Sequence, residues 1–187
     1  MITDIKLLDE KAVVPSRAHD ADTGYDLTFI GVHKIVGDVI FFKTGISVAS
    51  PEGFYWEIAP CSRISKQGLS LANSIGIIDE DYRGEVLVAI RVHHAYAGEG
   101  VGKSQQFANG IISFEGKRYR NMSALADGVL RLKPVLTQLI LRKRYDSKFN
   151  VVSELPTTER GIGGFGSTES MTTASARKEV LTKIEEE

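Results

Sequence analysis

A single cysteine, Cys61, in 187 residues excludes an intramolecular disulfide and fits a reducing compartment. Long apolar runs are absent as well: none approaches the roughly 18 residues that a membrane span needs. The N-terminal MITDIKLLDE lacks the pattern of a secretory signal, so a soluble, cytoplasmic chain with no membrane partner is expected. Charge of one sign is also missing. Lysine and arginine number 23 against 24 acidic residues, a formal net charge of −1, which leaves no basic field for gripping a nucleic-acid backbone. No internal repeat is visible, and the length fits one ordinary domain with some additions.

Short strands dominate what is present. ITDIKLL, YDLTFI, VIFFKT, GFYWEIA, GEVLVAIRV and VLTQLILRK are rich in β-branched and aromatic residues, with glycine, proline or aspartate between most of them. In GEVLVAIRV, Val86, Val88, Ile90 and Val92 share one face. Closely spaced strands without intervening helices predict an all-β sandwich or jelly roll. The stretch 96–131 reads differently, as an insertion between GEVLVAIRV and VLTQLILRK. It opens with AGEGVGKSQQ, continues as a hairpin (GIISFEGKRYR, turning near Glu115 and Gly116) and ends in a short NMSALAD segment. The organisation expected is a β domain over 1–158, a glycine-rich arm over 159–168 and a polar tail over 169–187. The tail forms either a short helix, with Val180, Leu181 and Ile184 on one side, or a disordered end.

Four clusters carry chemistry. The arm RGIGGFGST, Arg160 to Thr168, combines backbone freedom with an arginine fork, two hydroxyls and one aromatic face. Such a segment can wrap a phosphorylated ligand and stack on a base, although glycine-rich tails are commonly plain linkers. In HDADTGYDL, Asp20, Asp22 and Asp26 surround a glycine turn that enters a strand. They are either solvated turn residues or hold water on Mg²⁺, which keeps its waters and takes few protein ligands. APCSRISKQGLSLANS presents Ser62, Arg63, Ser65 and Lys66 just after a strand, an oligophosphate cradle or a polar loop. In GIIDEDYRGEV, two apolar residues deliver Asp79 to a strand end, where a carboxylate can orient and deprotonate one water. Tyr82, three residues on, can lie against a sugar. The pair His93-His94 is a poor metal site, since adjacent strand residues face opposite ways. Trp56 and Cys61 read as packed residues.

In this order, ADTGYDL, APCSRISK, ANSIGIIDEDYRGE, KPVLTQL and RGIGGFGST resemble the five motifs of the homotrimeric all-β dUTP pyrophosphatases, the dUTPases. The likeness spans nearly everything from Ile2 to Thr168 except the insertion; the third and fifth motifs are the most specific and the fourth the poorest. It implies a jelly-roll subunit, three of which share active sites at their interfaces. It also implies Mg²⁺-dependent hydrolysis of dUTP to dUMP and pyrophosphate by water attacking the α-phosphorus, which limits dUTP and supplies dUMP. On this resemblance Asp79 activates the water and Tyr82 packs on the deoxyribose. Asn73, Gly76, Ile77 and Ile78 read uracil, Asp26 orients metal-bound water, and Ser62 and Gln138 touch phosphate. Arg160, Phe165, Gly166, Ser167 and Thr168 form the closing arm, with Phe165 over uracil and Arg160 on the terminal phosphate.

Two positions depart from the pattern. Cys61 stands where the second motif has arginine, and Val135 where the fourth does. Arg63, Lys66, Arg118 or Arg120 are candidates to supply the missing cations. Two other readings remain open at this point. One is a dUTPase-like regulatory protein with weak or no turnover, offering the insertion or the tail to a protein partner. The other is a dCTP deaminase-related enzyme, which needs a glutamate where this chain has Ala89.

Overall fold

Residues two apart in a strand face the same way, and alternating burial accordingly sorts this chain into faces. The structure is a computed structural model that describes residues 2–93, 112–114, 117–132 and 134–163. Among the described residues are twelve strands and one α-helix. These are β1 (Asp4–Leu7), β2 (Tyr25–Thr28), β3 (Gly31–Val36), β4 (Val39–Lys43), β5 (Ile46–Ala49), β6 (Phe54–Pro60), β7 (Leu69–Leu71) and β8 (Gly76–Ile78). After them come β9 (Leu87–Val92), β10 (Ile112–Phe114), β11 (Lys117–Tyr119), α1 (Met122–Leu132) and β12 (Val135–Lys143). The fold is all-β, as the spacing of the strands predicts.

Two four-stranded antiparallel sheets, ordered β2-β12-β6-β8 and β3-β4-β9-β7, hold most of the strands. A ribbon of β1 and β5 and a hairpin of β10 and β11 complete them. Val86, Val88, Ile90 and Val92 are all buried, the face expected for that strand. Opposite them, Leu27, Trp56, Ile58, Ile78 and Leu139 of the first sheet enter the same hydrophobic core. No helix among the described residues is long and apolar enough to cross a membrane.

The expected hairpin in the insertion is present, with Ile112 opposite Tyr119. The short segment after it is more than expected: NMSALAD opens an eleven-residue helix. Asn121 caps it, its Oδ1 accepting the backbone N–H of Ala124 at 2.9 Å. Leu125, Ala126 and Val129 are buried with Phe114 and Tyr119 in the main core. The helix is easily overlooked because Gly128 interrupts its apolar stripe, and a mid-helix glycine ordinarily disfavours a helix.

The chain divides into two compact units, Met1–Asp146 and Ser147–Glu187. In the second, residues 147–163 have neither strand nor helix and expose Phe149, Val151 and Leu155. Residues 94–111, the arm residues Phe165, Gly166, Ser167 and Thr168, and the tail 169–187 lie outside the described residues.

A β-carbon added at Gly128 would collide with the Tyr119 ring. Gly128→Ala is therefore expected to lower the melting temperature, although alanine favours an isolated helix by about 1 kcal/mol. Overpacking at such a contact costs about 1–3 kcal/mol. A thermal melt followed by circular dichroism checks it; an unchanged or higher Tm would mean that α1 does not pack on Tyr119.

Candidate active site

Within the first unit, the expected site residues gather at two ends of the sheet β2-β12-β6-β8: Asp26, Ser62, Arg63 and Gln138 at one, and Asn73 to Tyr82 at the other. Alternation puts Leu27, Ile58, Ile78 and Leu139 inside, and so turns Asp26, Gln138, Glu57 and Ile77 outward. A β-bulge in β12 between Val135 and Thr137 resets the alternation. It lets both Leu136 and Thr137 be buried and still aims Gln138 at the surface.

At one end, Asp26 is paired across the sheet with Gln138, and Gln138 with Ala59. The Gln138 amide donates to the Pro60 carbonyl at 3.2 Å. Its side chain lies over Gly24, where an added β-carbon would push it aside. Past Pro60 the chain makes a 3₁₀ turn, Ser62–Lys66, anchored by buried Ile64. Ser62, Arg63, Ser65 and Lys66 are exposed, and the Ser65 hydroxyl donates to the Ser62 carbonyl at 2.8 Å. Asp26, Gln138 and Ser62 thus come together. Asp22 stands apart from them, since its carboxylate accepts the His19 N–H at 2.9 Å and shapes the turn before β2.

Cys61 lies under this end, 8% exposed, with its Sγ 3.8 Å from Asp26 Oδ1. Burial, and then the neighbouring Asp26 carboxylate, push its thiol from the ordinary 9.0 up to about 11. It is a packed residue, as expected.

At the other end stands the connection between β7 and β8. β7 belongs to one sheet and β8 to the other, so residues 72–75 bridge the sandwich. Ser74 has φ 60, a left-handed conformation unusual outside glycine and frequent at ligand clamps. Gly76 lies against Ile58, where a β-carbon would approach to 3.0 Å. Asn73, Ile75 and Ile77 are exposed, Ile78 buried. Asn73 and Ala89 line one cavity of about 250 Å³ together with Ile58, Leu71 and Val88, and with His33 and Lys34 from β3.

Asp79 follows β8 directly and opens into a cavity of about 470 Å³ lined also by Tyr55, Ile77, Glu80, Asp81 and Arg144. Tyr82 closes the following turn, its N–H donating to the Asp79 carbonyl at 3.2 Å and its hydroxyl to the Glu85 carbonyl at 3.0 Å. Its ring covers Gly84, where a β-carbon would collide with it, and stays 42% exposed.

The two ends do not meet within one chain. Ala59, beside Gln138, is four residues from Tyr55, toward which Asp79 extends the row begun by Ile78 opposite Trp56. Four steps along the strands and three strand spacings across put Asp26 and Asp79 roughly 20 Å apart. Between them lies a group that the sequence alone does not reveal. Arg142 Nε donates to Glu57 at 2.8 Å and the Tyr55 hydroxyl donates to the same carboxylate at 2.9 Å. The bond from Arg142 holds the Glu57 carboxyl below its ordinary range, and donation to that carboxylate raises the Tyr55 phenol. Alternation in YWEIA pairs Tyr55 with Glu57, but nothing local in the sequence sets Arg142 across from them.

In the second unit, Arg160 is exposed and turns back on itself. Its Nε donates to the Gly163 carbonyl at 3.1 Å, and Gly161 takes φ 52 between them. Arg118 and Arg120 are exposed on the insertion hairpin and just after it, and among the described residues neither bonds to the groups above.

The raised thiol pKa makes a prediction. Cys61 is expected to resist iodoacetamide at pH 7.5, reacting far more slowly in the native than in the urea-unfolded chain, as mass spectrometry would read. Because the folded pKa exceeds the unfolded one, the thiol's contribution to stability is full below about pH 9 and is lost as pH rises toward 11. Rapid native alkylation at pH 7.5 would contradict this burial.

The dUTPase family model matches residues 10–97. A deoxyuridine 5'-triphosphate nucleotidohydrolase of Clostridium acetobutylicum is 33% identical over 167 residues, covering 88% of this chain and 94% of the relative. Among solved structures, a mutant dUTPase of Staphylococcus bacteriophage 80alpha with dUpNHpp superposes with TM-score 0.63 at 21% identity, over 89% of this chain and 98% of that one. A mutant dUTPase from phage phi11 of S. aureus, described for the coordination of a structural Mg(II) ion, does so with TM-score 0.57 at 23% identity, over 82% and 98%. The fold, the ordered motifs and a relative matched over almost its whole length place this chain in the dUTPase family.

Proposed function

We propose that this chain hydrolyses dUTP to dUMP and pyrophosphate by water attack on the α-phosphorus, limiting dUTP and supplying dUMP. The observation that carries this reading is the placement of Asp79. It stands one residue beyond a strand locked into the core by Ile78, at an open cavity and near the turn in which Ser74 takes φ 60. A carboxylate held there can orient a water and take its proton. Exposed backbone in the connection from Asn73 to Ile77 can read a pyrimidine by its donors and acceptors, and a mismatched exocyclic group costs about 1–3 kcal/mol. Tyr82 offers its face to the sugar. Ala89 in the Asn73 cavity supplies no carboxylate, so deamination has no support there.

Asp26, Ser62 and Gln138 serve the phosphate end, with the exposed Arg63 beside them. The donor set fits Mg²⁺ in one way only. No cluster of three or more metal-binding side chains occurs among the described residues. The single outward carboxylate of Asp26 suits an ion that keeps most of its waters and draws its remaining ligands from phosphates. Bound there, Mg²⁺ would neutralise phosphate charge; the chain's own part is to hold those waters through Asp26. Because Asp26 and Asp79 are far apart on one sheet, a second copy is needed to bring the halves together, which supports a homotrimer with shared sites. We assign Arg160, Phe165, Gly166, Ser167 and Thr168 to an arm at residues 159–168 that covers the nucleotide, beyond a β domain at 1–158 carrying the insertion 96–131. The single thiol and the lack of a membrane-crossing helix among the described residues accord with a cytoplasmic location.

Purified protein with Mg²⁺ is expected to release pyrophosphate from dUTP and to discriminate strongly against UTP, dCTP and dTTP, and chelation by EDTA should abolish turnover. Asp79→Asn should lower kcat by about 10² or more, the scale of losing a positioned base, with Tm unchanged. Equal turnover of UTP and dUTP, or a near-normal rate for Asp79→Asn, would refute the assigned roles.

A further inference from the structure

The Asp79 carboxylate has no side-chain or backbone partner among the described residues; the residue's one bond there is through its carbonyl, to Tyr82. A base that is not oriented by its own hydrogen bonds depends on the turn that carries it. That turn is tied down at the adjacent residue. Glu80 Oε2 accepts the Gly53 N–H at 3.0 Å and lies 3.4 Å from Arg144 Nη2. Arg144, one residue past β12, is itself fixed by its backbone N–H donating to the Gly53 carbonyl at 2.8 Å. Gly53, at φ 74, occupies the turn before β6 and presents both its N–H and its carbonyl to this group. One carboxylate therefore joins three segments: the Asp79 turn, the approach to β6 and the end of β12. From the other side, the Arg83 guanidinium donates to the Glu80 and Tyr82 carbonyls at 2.7 and 2.9 Å. Asp79, Glu80 and Arg144 also line the same cavity.

We propose that Glu80 and Arg144 are positioning residues for Asp79: their ion pair across Gly53 holds the turn in the orientation in which Asp79 meets its water. The inference rests on Asp79 acting as the base. The pair is partly exposed, with Arg144 at 51% and Glu80 at 29%, and such pairs add little to global stability. Its effect belongs in the rate and not in the melting temperature, because small misplacements of a reacting group lower turnover steeply. Neither residue need touch the nucleotide, so substrate affinity should be spared.

The test uses the full chain with dUTP and Mg²⁺, measuring kcat, KM and Tm for Glu80→Gln, Glu80→Ala, Arg144→Gln, Arg144→Lys and the double variant Glu80→Ala/Arg144→Gln. Glu80→Gln keeps an acceptor for the Gly53 N–H but not the charge, and Arg144→Gln changes a half-exposed side chain, so both preserve the core. Expected are kcat losses of about tenfold or more for Glu80→Ala and Arg144→Gln, with KM within about twofold. Arg144→Lys should recover much of the rate, and the double variant should be no slower than the worse single one, as for residues acting through one contact. If wild type and Asp79→Asn behave as proposed above, normal kcat in both Glu80 and Arg144 variants would overturn the positioning role alone. So would multiplicative losses, or a loss confined to KM, which would make Arg144 a substrate contact. An inactive wild type, or full activity of Asp79→Asn, would overturn the functional reading and this inference with it, since no base would be left to position.

Discussion

The pairing of β12 with two strands at once is the constraint on which the rest depends. Its residues meet Tyr25 to Thr28 on one side and Phe54 to Pro60 on the other, and Leu136 and Leu139 seal its inner face in the core. The outward side chains are thereby placed with little freedom: Gln138 falls between Asp26 and Ala59, and Arg142 reaches Glu57. A slip of one residue would turn every one of these groups to the other face. The bulge at Leu136 is what reconciles burial with aim. Without that extra residue, the strand could not bury Leu136 and Thr137 in succession and still present Gln138 outward. The placement of Asp26 and Gln138 is thus a by-product of how the core closes.

Much of this is legible in the sequence because it is local. The alternation in GEVLVAIRV specifies a buried face at Val86, Val88, Ile90 and Val92, and all four are buried. GIISFEGKRYR announces the pairing of β10 with β11, its turn residues Glu115 and Gly116 lying outside the described residues, and the two apolar residues before Asp79 announce that strand end. Recognition of the ordered motifs, and with it the family, also needs only adjacent residues. Partners set by long-range register are a different matter. Glu57 and Arg142 are 85 residues apart, Gly53 and Glu80 27 apart, and no periodicity states which residue will face which. α1 is illegible for a third reason. Its apolar stripe is ordinary, but Gly128 argues against a helix by propensity, and only the Tyr119 ring lying over it explains why glycine is present.

The two positions where arginine is expected gain meaning from their surroundings. Cys61 is buried against Asp26, so a long cationic side chain there would have to leave the core or displace the 3₁₀ turn that follows. Val135 opens β12 just before the bulge, half-buried and opposite Thr28. Both positions therefore serve packing in this chain. Positive charge on the same sheet face resides elsewhere, in Arg142 on Glu57 and in Arg144 on Glu80. Each of these cations is matched by a carboxylate and leaves little unbalanced charge for a phosphate. Arg63 and Lys66, exposed on the turn beside Asp26 and Gln138, have no ionic partner among the described residues.

A division of labour follows from how each group is mounted. Asp26 and Gln138 sit within strands, where backbone pairing on both sides holds them in place. Asp79 sits one residue beyond a three-residue edge strand, and pairing alone leaves it more freedom. The contacts at Glu80, Tyr82 and Arg83 supply locally what the sheet does not. Arg160 lies in a separate unit whose described part makes only turns, the least constrained mounting of the three. This gradient suits the chemistry assigned to each group. Holding charge needs a fixed frame, and orienting a water needs a fixed carboxylate. The role proposed for Arg160, covering a nucleotide, needs no such frame, so the constraint that falls from β12 to the Asp79 turn to the described turns at 158–163 matches the roles proposed for these groups.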